Sequence, residues 1–224
     1  MTATASHTNG VSAHTDAESH DRSAYFESMY RDNADPYELR NRWYEQRKRA
    51  VLMAALPRQR YARAFEPGCG AAELTVELAA RCDWLLASDL SEGAIAAASQ
   101  RTRHLANVHV DRHGLPQDWP HSHGPFDLIV LSEVGYFLDG DAIQKVAKCV
   151  ADSLAADGTL VACDWRPDFK ERVLATDTVH AALASLADLA DLGMSRLVRH
   201  EEDDFLLQIW ARDSRSVAQV GGIR

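Results

Sequence analysis

The sequence predicts an α/β fold: a doubly wound, mostly parallel sheet of seven strands, with N-terminal helices covering its ligand edge. Three observations predict it. Strand-like and helix-like patterns alternate from Ala62 to Arg212. One strand, "FDLIVLSE" at 126–133, is an almost unbroken apolar run, as expected when both sheet faces are covered. The stretch "ARAFEPGCGAAELTVELAA" reads as a strand, a glycine turn and a helix start, the arrangement that seats ligands at the carboxyl ends of parallel strands.

The elements follow in order. Residues 1–22 are polar and poor in large apolar side chains, which predicts a disordered tail. Residues 23–57 form a helical cap. "SAYFESMYRD" puts Tyr25, Phe26, Met29 and Tyr30 on one face before Asp35-Pro36 breaks it. "YELRNRWYEQRKRAVLMAALP" then reads as one long amphipathic helix closed by Pro57. The core domain spans 58–213. It takes "ARAFE" as strand, "AAELTVELAARC" as helix and "DWLLASD" as strand. "SEGAIAAASQRTRHL" follows as a helix with Ser91 as N-cap. "NVHVDRH" and "FDLIVLSE" are strands, and "DAIQKVAKCVADSLAADG" is a helix ended by Gly158. "TLVACDW" is a strand and "DTVHAALASLADLADLG" a helix. "MSRLVRH" and "DFLLQIWAR" suit a closing antiparallel hairpin. Residues 214–224 are expected to fray.

Composition narrows the function. A chain of 224 residues that is 46% hydrophobic can bury a sizeable core. The net charge of -9 argues against a nucleic-acid partner. The basic run Arg47, Lys48, Arg49 reads as a solvated helix face. Cys69, Cys82, Cys149 and Cys163 form no C-x-x-C pair and read as reduced thiols of a cytoplasmic protein, with no metal site. The histidines of "WPHSHG" lack metal-ligand spacing. No segment approaches membrane-spanning length. The expected partner is a small molecule, and the chain a monomer or homodimer.

The glycine turn selects among nucleotides. A dinucleotide fingerprint needs glycine at position 73, and this chain has Glu73. A carboxylate at the helix start competes with a phosphate for the positive end of the helix dipole. A phosphate-free, cationic ligand such as S-adenosylmethionine suits the site better. Glu66 then sets negative charge beside a cation, while Gly68 and Gly70 allow close backbone approach. Asp89, at the end of the next strand, can accept from both ribose hydroxyls, although nicotinamide enzymes share that feature. The plain alternative is a simple turn with Asp89 capping the next helix.

With those residues on the page, "EPGCGAAELT", "ASDLSEGAIAAA" and "FDLIVLSEVGYFL" resemble the class I S-adenosylmethionine-dependent methyltransferases and their Rossmann-like fold. Ala72 stands where that family's last glycine usually stands. "DPYELRNRWYEQRKRAVLMAALPRQRYARAFEPGC", "LPQDWP", "DWRPD", "TDTVH" and "HEEDDFLLQIW" are similar to the nodulation protein S family, N-methyltransferases acting on the free amine of a chitooligosaccharide. The resemblance implies S-adenosylmethionine as methyl donor. The residues expected to hold it are Tyr44, Arg47, Glu66, Gly68, Cys69, Gly70, Asp89, Leu90, His113, Leu115, Ser132 and Glu133. Two positions depart from the family pattern: Gly114 replaces an acidic residue before Leu115-Pro116, and Asp164 replaces a histidine before Trp165-Arg166.

Methyl transfer to an amine needs the nucleophile neutral and in line with the methyl group. Glu133, just past the fourth strand, is the first candidate base, with His180 and Asp164 behind it. Each has a bland counterpart: a cofactor contact or cap for Glu133, a packed histidine for His180. His113 reads either as a base or as an adenine neighbour. Trp43, Tyr136, Trp165 and Arg166 are expected to line the acceptor, with core packing an equal alternative for Trp43. Tyr44 and Arg47 offer donors for the methionine carboxylate. The expected activity is methyl transfer to the amine of an amino sugar or natural-product intermediate. O-methylation, a non-catalytic cofactor binder and a nicotinamide-dependent reductase stand as alternatives.

Overall fold

The structure, a computed structural model, describes residues 24–31, 33–188 and 193–224. The tail expected over 1–22 and the last residues of the helix expected to reach Gly193 lie outside the described residues. A seven-stranded sheet runs in the order β3-β2-β1-β4-β5-β7-β6. Its strands are β1 (Tyr61–Pro67), β2 (Cys82–Asp89), β3 (Val108–Arg112), β4 (Phe126–Ser132), β5 (Leu154–Trp165), β6 (Ser195–Glu201) and β7 (Phe205–Ala211). The pairs among β1 to β5 are parallel, whereas β7 runs antiparallel to both β5 and β6. This is the expected doubly wound sheet with a closing hairpin. The order steps outward from β1 to β3 and then returns through β4. A crevice therefore opens above the carboxyl ends of β1 and β4.

The helices are α1 (24–31), α2 (Trp43–Ala55), α3 (Glu73–Ala79), α4 (Glu92–Thr102), α5 (Gly140–Ser153), α6 (Thr176–Asp188) and a short α7 (Val217–Val220). Two apolar layers sandwich the sheet. Phe65, Phe126, Ile129 and Trp210 pack beneath α5 and α6 on one face. Tyr61, Leu85, Leu128 and Phe205 pack with Leu52, Leu74 and Leu78 from α2 and α3 on the other. β4 is buried at Phe126, Leu128, Ile129, Val130 and Leu131, the burial its unbroken apolar run requires.

Three boundaries differ from the sequence expectation. The long N-terminal helix begins at Trp43, not near Tyr37. Asp35 accepts from Leu39 N at 2.9 Å and Arg40 N at 3.0 Å, and Glu38 takes a left-handed φ of 55°, so a turn interrupts the pattern. The helix expected to end at Gly158 stops at Ser153, because Leu154 is already extended and enters the core beside Phe126. Gly158 serves a tight return instead: a Cβ there would lie 2.5 Å from Leu154 Cγ. After Asp213, the exposed α7 is closed by a capping box between Ser216 and Gln219, where the sequence suggested fraying alone. Ser91 caps α4 as expected, accepting from Ala94 N at 3.2 Å.

Helix α1 lies across the carboxyl edge. Glu27 accepts from Glu92 N at 2.5 Å and Gly93 N at 3.3 Å, at the start of α4. Phe26 meets Phe137 edge-on at 5.0 Å, beyond β4. One helix thus bridges the loops that follow β2 and β4.

Candidate active site

The loop between β1 and α3 turns on three left-handed residues: Gly68 (φ 72°), Gly70 (φ 52°) and Ala72 (φ 64°). Alanine holds the place of a third glycine at the cost of a conformation that side chains rarely adopt. A Cβ on Gly68 would lie 2.9 Å from Val134 Cγ2, and one on Gly70 would lie 2.7 Å from Tyr30 Oη. The glycines are therefore needed for packing by this chain itself as well as for ligand approach. Cys69 N donates to Ser88 O at 2.9 Å, which fastens the loop to the end of β2.

Asp89 anchors the same loop. Its Oδ2 accepts from Gly70 N and its Oδ1 from Ser91 N, each at 3.0 Å. Each oxygen keeps a second lone pair, so acceptance from a diol stays open. Leu90 O accepts from Arg112 Nε at 2.9 Å. His113 N donates to Asp89 O at 3.1 Å, while His113 Nε2 is buried and makes no hydrogen bond. Leu115 packs against the core beside it.

Glu66 supplies the test of cofactor fit. It is 3% exposed at the end of β1, and its Oε2 has no hydrogen-bond partner among the described residues. Burial pushes its carboxyl up to about 8, opposed by the neighbouring Thr75 hydroxyl. A buried carboxylate oxygen without a partner fits a cationic ligand group, such as an ammonium or sulfonium. Glu73 plays a different part from the one expected. It is buried, paired with Arg40 at 2.8 Å and Arg101 at 2.5 Å, so its charge is already balanced. Glu73 therefore gives no argument against a phosphate.

Across the crevice, Glu133 sits at φ 59° directly after Ser132 and the end of β4. Lys48 Nζ donates to its Oε1 at 2.8 Å. Tyr136 Oη, at 2.5 Å, and Trp165 N, at 3.2 Å, donate to its Oε2. Lys48 is 5% exposed and also pairs with Glu45 at 2.9 Å. Burial opposes its charge, but the carboxylates of Glu133 and Glu45 prevail and hold its pKa above the ordinary lysine value. The Tyr44 ring meets Trp165 edge-on at 5.5 Å and has Lys48 5.3 Å from its centre. Among the described residues Tyr44 Oη is buried without a partner, a donor open to a ligand.

The basic run of α2 is thus not a solvated face. Arg47 makes a bidentate pair with Glu202 at 2.9 and 2.7 Å, and Arg49 bonds Glu77 at 2.9 Å. Each cation found a carboxylate distant in sequence, which no local pattern records. Arg47 is committed to Glu202, which leaves Tyr44 as the freer of the two expected carboxylate donors. Trp43 is 74% exposed, which removes the core-packing alternative.

The other expected bases lie behind the site surface. His180 Nε2 stands 3.2 Å from Asp164 Oδ2, and both residues are buried at 2% and 0% exposure. His180 Nδ1 lies 2.9 Å from the Gln208 amide. Burial raises the Asp164 carboxyl, and His180 opposes the shift. The two side chains form a buried pair, with Asp164 close enough to Glu133 for the carboxylate to raise it further. Arg166 Nη1 donates to Glu202 O at 2.8 Å and faces Glu201 at 3.1 Å. Tyr30, Lys48 and Arg172 are site residues that sequence reasoning missed. For Lys48, the spacing from Tyr44 by one helical turn was the available signal.

The family model for nodulation protein S (NodS) matches residues 23–188. The chain belongs to the nodulation protein S family. By that membership it is an S-adenosylmethionine-dependent methyltransferase. Among solved structures it resembles a candidate methyltransferase from Pseudomonas syringae, at 45% identity over 76% of this chain and 100% of that one, with a TM-score of 0.66. It also resembles the N-methyltransferase NodS from Bradyrhizobium japonicum in complex with S-adenosyl-L-homocysteine. That likeness has 24% identity, coverage of 86% and 98%, and a TM-score of 0.71, and it shows the shared fold. The magnesium protoporphyrin IX methyltransferase of Synechocystis, with bound S-adenosyl-L-homocysteine, shares the fold at 15% identity, coverage of 87% and 99%, and a TM-score of 0.64. No curated protein matches the chain. Among the described residues, no cluster of histidine, cysteine or acidic side chains could hold a metal ion, and no helix is long and apolar enough to cross a membrane.

Proposed function

We propose that this methyltransferase acts on the amine of a small polar acceptor, of the amino-sugar or natural-product class. The observation that carries the reading is Glu133. It is a carboxylate at the carboxyl end of β4, fixed by Lys48, Tyr136 and the Trp165 N–H, and next in sequence to the Val134 that packs on Gly68. The NodS relative from Bradyrhizobium japonicum is described as an N-methyltransferase, which supports an amine over a hydroxyl.

Bound S-adenosylmethionine supplies an electrophilic methyl group on a sulfonium. Glu66, the Gly68–Cys69–Gly70 backbone, Asp89, Leu90, His113 and Leu115 would hold it from one side. Tyr44 and the backbone of Ser132 and Glu133 would hold it from the other, leaving the Glu133 carboxylate for the acceptor. Glu133 does two things for an amine: it attracts the ammonium form into the crevice, and it takes a hydrogen bond that orients the lone pair of the neutral form. The amine gives up its proton to solvent before attack, so that its lone pair is free to meet the methyl group. Trp43, Trp165 and Arg166 border the acceptor, with Tyr136 beneath it. Positioning of this kind supplies up to ~7–11 kcal/mol in favourable systems.

The test is a panel of amines and hydroxyls incubated with purified protein and S-adenosylmethionine, with the new methyl group located by mass spectrometry and NMR. Methylation at nitrogen is expected. Methylation at oxygen alone, or none at all with S-adenosyl-L-homocysteine bound, overturns the reading. Glu133→Gln is expected to lower kcat by about 10²-fold or more while leaving S-adenosyl-L-homocysteine affinity in place. A matching loss of that affinity would assign Glu133 to the cofactor instead.

A further inference from the structure

A cleft of about 310 Å³ follows Trp165 in the chain, lined by Arg166, Arg172, Thr176, Asp177 and Asp203 among others. Its two arginines are in different states. Arg166 is committed to Glu201 at 3.1 Å and to Glu202 O at 2.8 Å, with Asp177 at 3.9 Å. Arg172 forms no ion pair among the described residues. Its Nη2 donates to Trp165 O at 2.6 Å, and its Nη1 reaches Thr176 Oγ1 only at 3.4 Å. Its Nε is buried with no partner among the described residues. The guanidinium lies 5.3 Å from the centre of the Tyr136 ring and 5.1 Å from that of Phe169, contacts that stabilise a cation without neutralising it.

A partly desolvated guanidinium with a spare N–H and no counter-ion is costly unless an anion completes it. The first residues of α6, Thr176 and Asp177, line the same cleft, so the positive end of that helix adds to the field. Arg172 is also coupled to the reaction centre. It rests on Tyr136, whose hydroxyl donates to Glu133, and it bonds the carbonyl of Trp165, whose N–H donates to Glu133.

We propose that the cleft is an anion subsite in which Arg172 receives a carboxylate or phosphate carried by the same acceptor whose amine is methylated. The inference rests on the amine reading above and adds a class: the acceptor is zwitterionic. Asp177, facing Arg166, and Asp203 then limit the cleft to one anionic group.

The test compares glucosamine, muramic acid and glucosamine 6-phosphate as acceptors for the wild type, Arg172→Gln and Arg172→Lys. The wild type is expected to favour at least one acidic acceptor over glucosamine by about tenfold or more in kcat/KM, mostly through KM. The carboxylate and phosphate arms show which anion is taken. Arg172→Gln should bring that ratio to about 1, and Arg172→Lys should restore part of it. Equal use of all three acceptors by the wild type, or a uniform loss across them in Arg172→Gln, overturns the proposal. If none is methylated, the amine reading fails for this class, and calorimetric titration of the S-adenosyl-L-homocysteine-loaded protein still decides the subsite. Binding of muramic acid or glucosamine 6-phosphate that Arg172→Gln abolishes sustains it, and binding of neither refutes it.

Discussion

Around β1 and β2 the site is made of backbone and of residues close in sequence, whereas around β4 and β5 it is made of side chains gathered from across the chain. On the first side, Gly70 and Ser91 donate their N–H groups to one carboxylate, Asp89, and the loop is shaped by left-handed residues at 68, 70 and 72. On the second side, Glu133 is held by Lys48, 85 positions away, and by Trp165, 32 positions away. The difference follows from what each side must hold. One cofactor serves a whole family, and a fixed backbone cradle suits an invariant ligand. Acceptors vary, and side chains on separate elements can be exchanged without disturbing the cradle.

The comparison breaks hardest at the cradle. Gly70→Val places a β-branched residue at φ 52° and drives its Cβ to 2.7 Å from Tyr30 Oη. We expect S-adenosyl-L-homocysteine affinity to fall by at least ~100-fold, since a strained backbone site costs about 1–3 kcal/mol before the clash is added. Calorimetry measures it, and near-normal binding would show that the cradle is more forgiving than its geometry implies.

On the acceptor side, Lys48→Met leaves Glu133 and Glu45 without their shared cation. Removing one member of a buried pair costs about 3–5 kcal/mol, and a value near the lower end is expected because Glu133 is 26% exposed on its side chain. Urea denaturation reads the loss. Acceptor turnover should fall more than cofactor affinity.

Glu66 offers a pH signature that only the cradle should show. Its carboxyl is raised to about 8, so near pH 6 a cationic ligand must displace a proton to gain an ionised partner. S-adenosylmethionine affinity should therefore rise with pH, by at most about tenfold per unit, and level off above 8. Glu66→Gln should flatten that rise. In the absence of ligand the sign reverses. A raised carboxylate stabilises the fold fully below its unfolded value and loses that contribution as pH climbs through about 8, so Glu66→Gln should lose less stability than the wild type over that interval. A wild-type affinity that does not vary with pH would remove Glu66 from the cofactor site.

The smallest effect is expected at the rim. Trp43→Ala should leave the melting temperature and cofactor affinity unchanged, because the side chain is 74% exposed, and alter only the KM of a bulky acceptor. An unchanged KM across acceptors of increasing size would take Trp43 out of the acceptor rim.

Legibility followed the same division. The cradle could be read because glycine, a terminal acid and strand-helix alternation report on local backbone needs. Glu66, Gly68, Gly70 and Asp89 all sit where that reasoning placed them, at the carboxyl ends of β1 and β2. The acceptor side was legible only in part. Glu133, Tyr136 and Trp165 were named, and the structure brings them into one cluster. Lys48 reads in the sequence as a surface charge but is buried, and His180 and Asp164, secondary candidate bases in the sequence, are a buried pair. Their burial depends on which helix crosses which strand, and that is invisible to periodicity. Glu73 is the clearest case of a correct observation with a different cause: the acid does stand at the helix start, but Arg40 and Arg101 already neutralise it.

By itself, then, the sequence determined the alternation of elements, the apolar strands of a twice-covered sheet, and the glycine turn with its flanking acids, because each is a demand of the local backbone or of side-chain period. Only the tertiary structure decided which charges face each other. Arg47 meets Glu202, Lys48 meets Glu133, and Arg172 is left with aromatic rings and no carboxylate among the described residues. Electrostatic partnership is a matter of distance and burial, and the folded chain sets both by bringing together residues that the linear order keeps far apart.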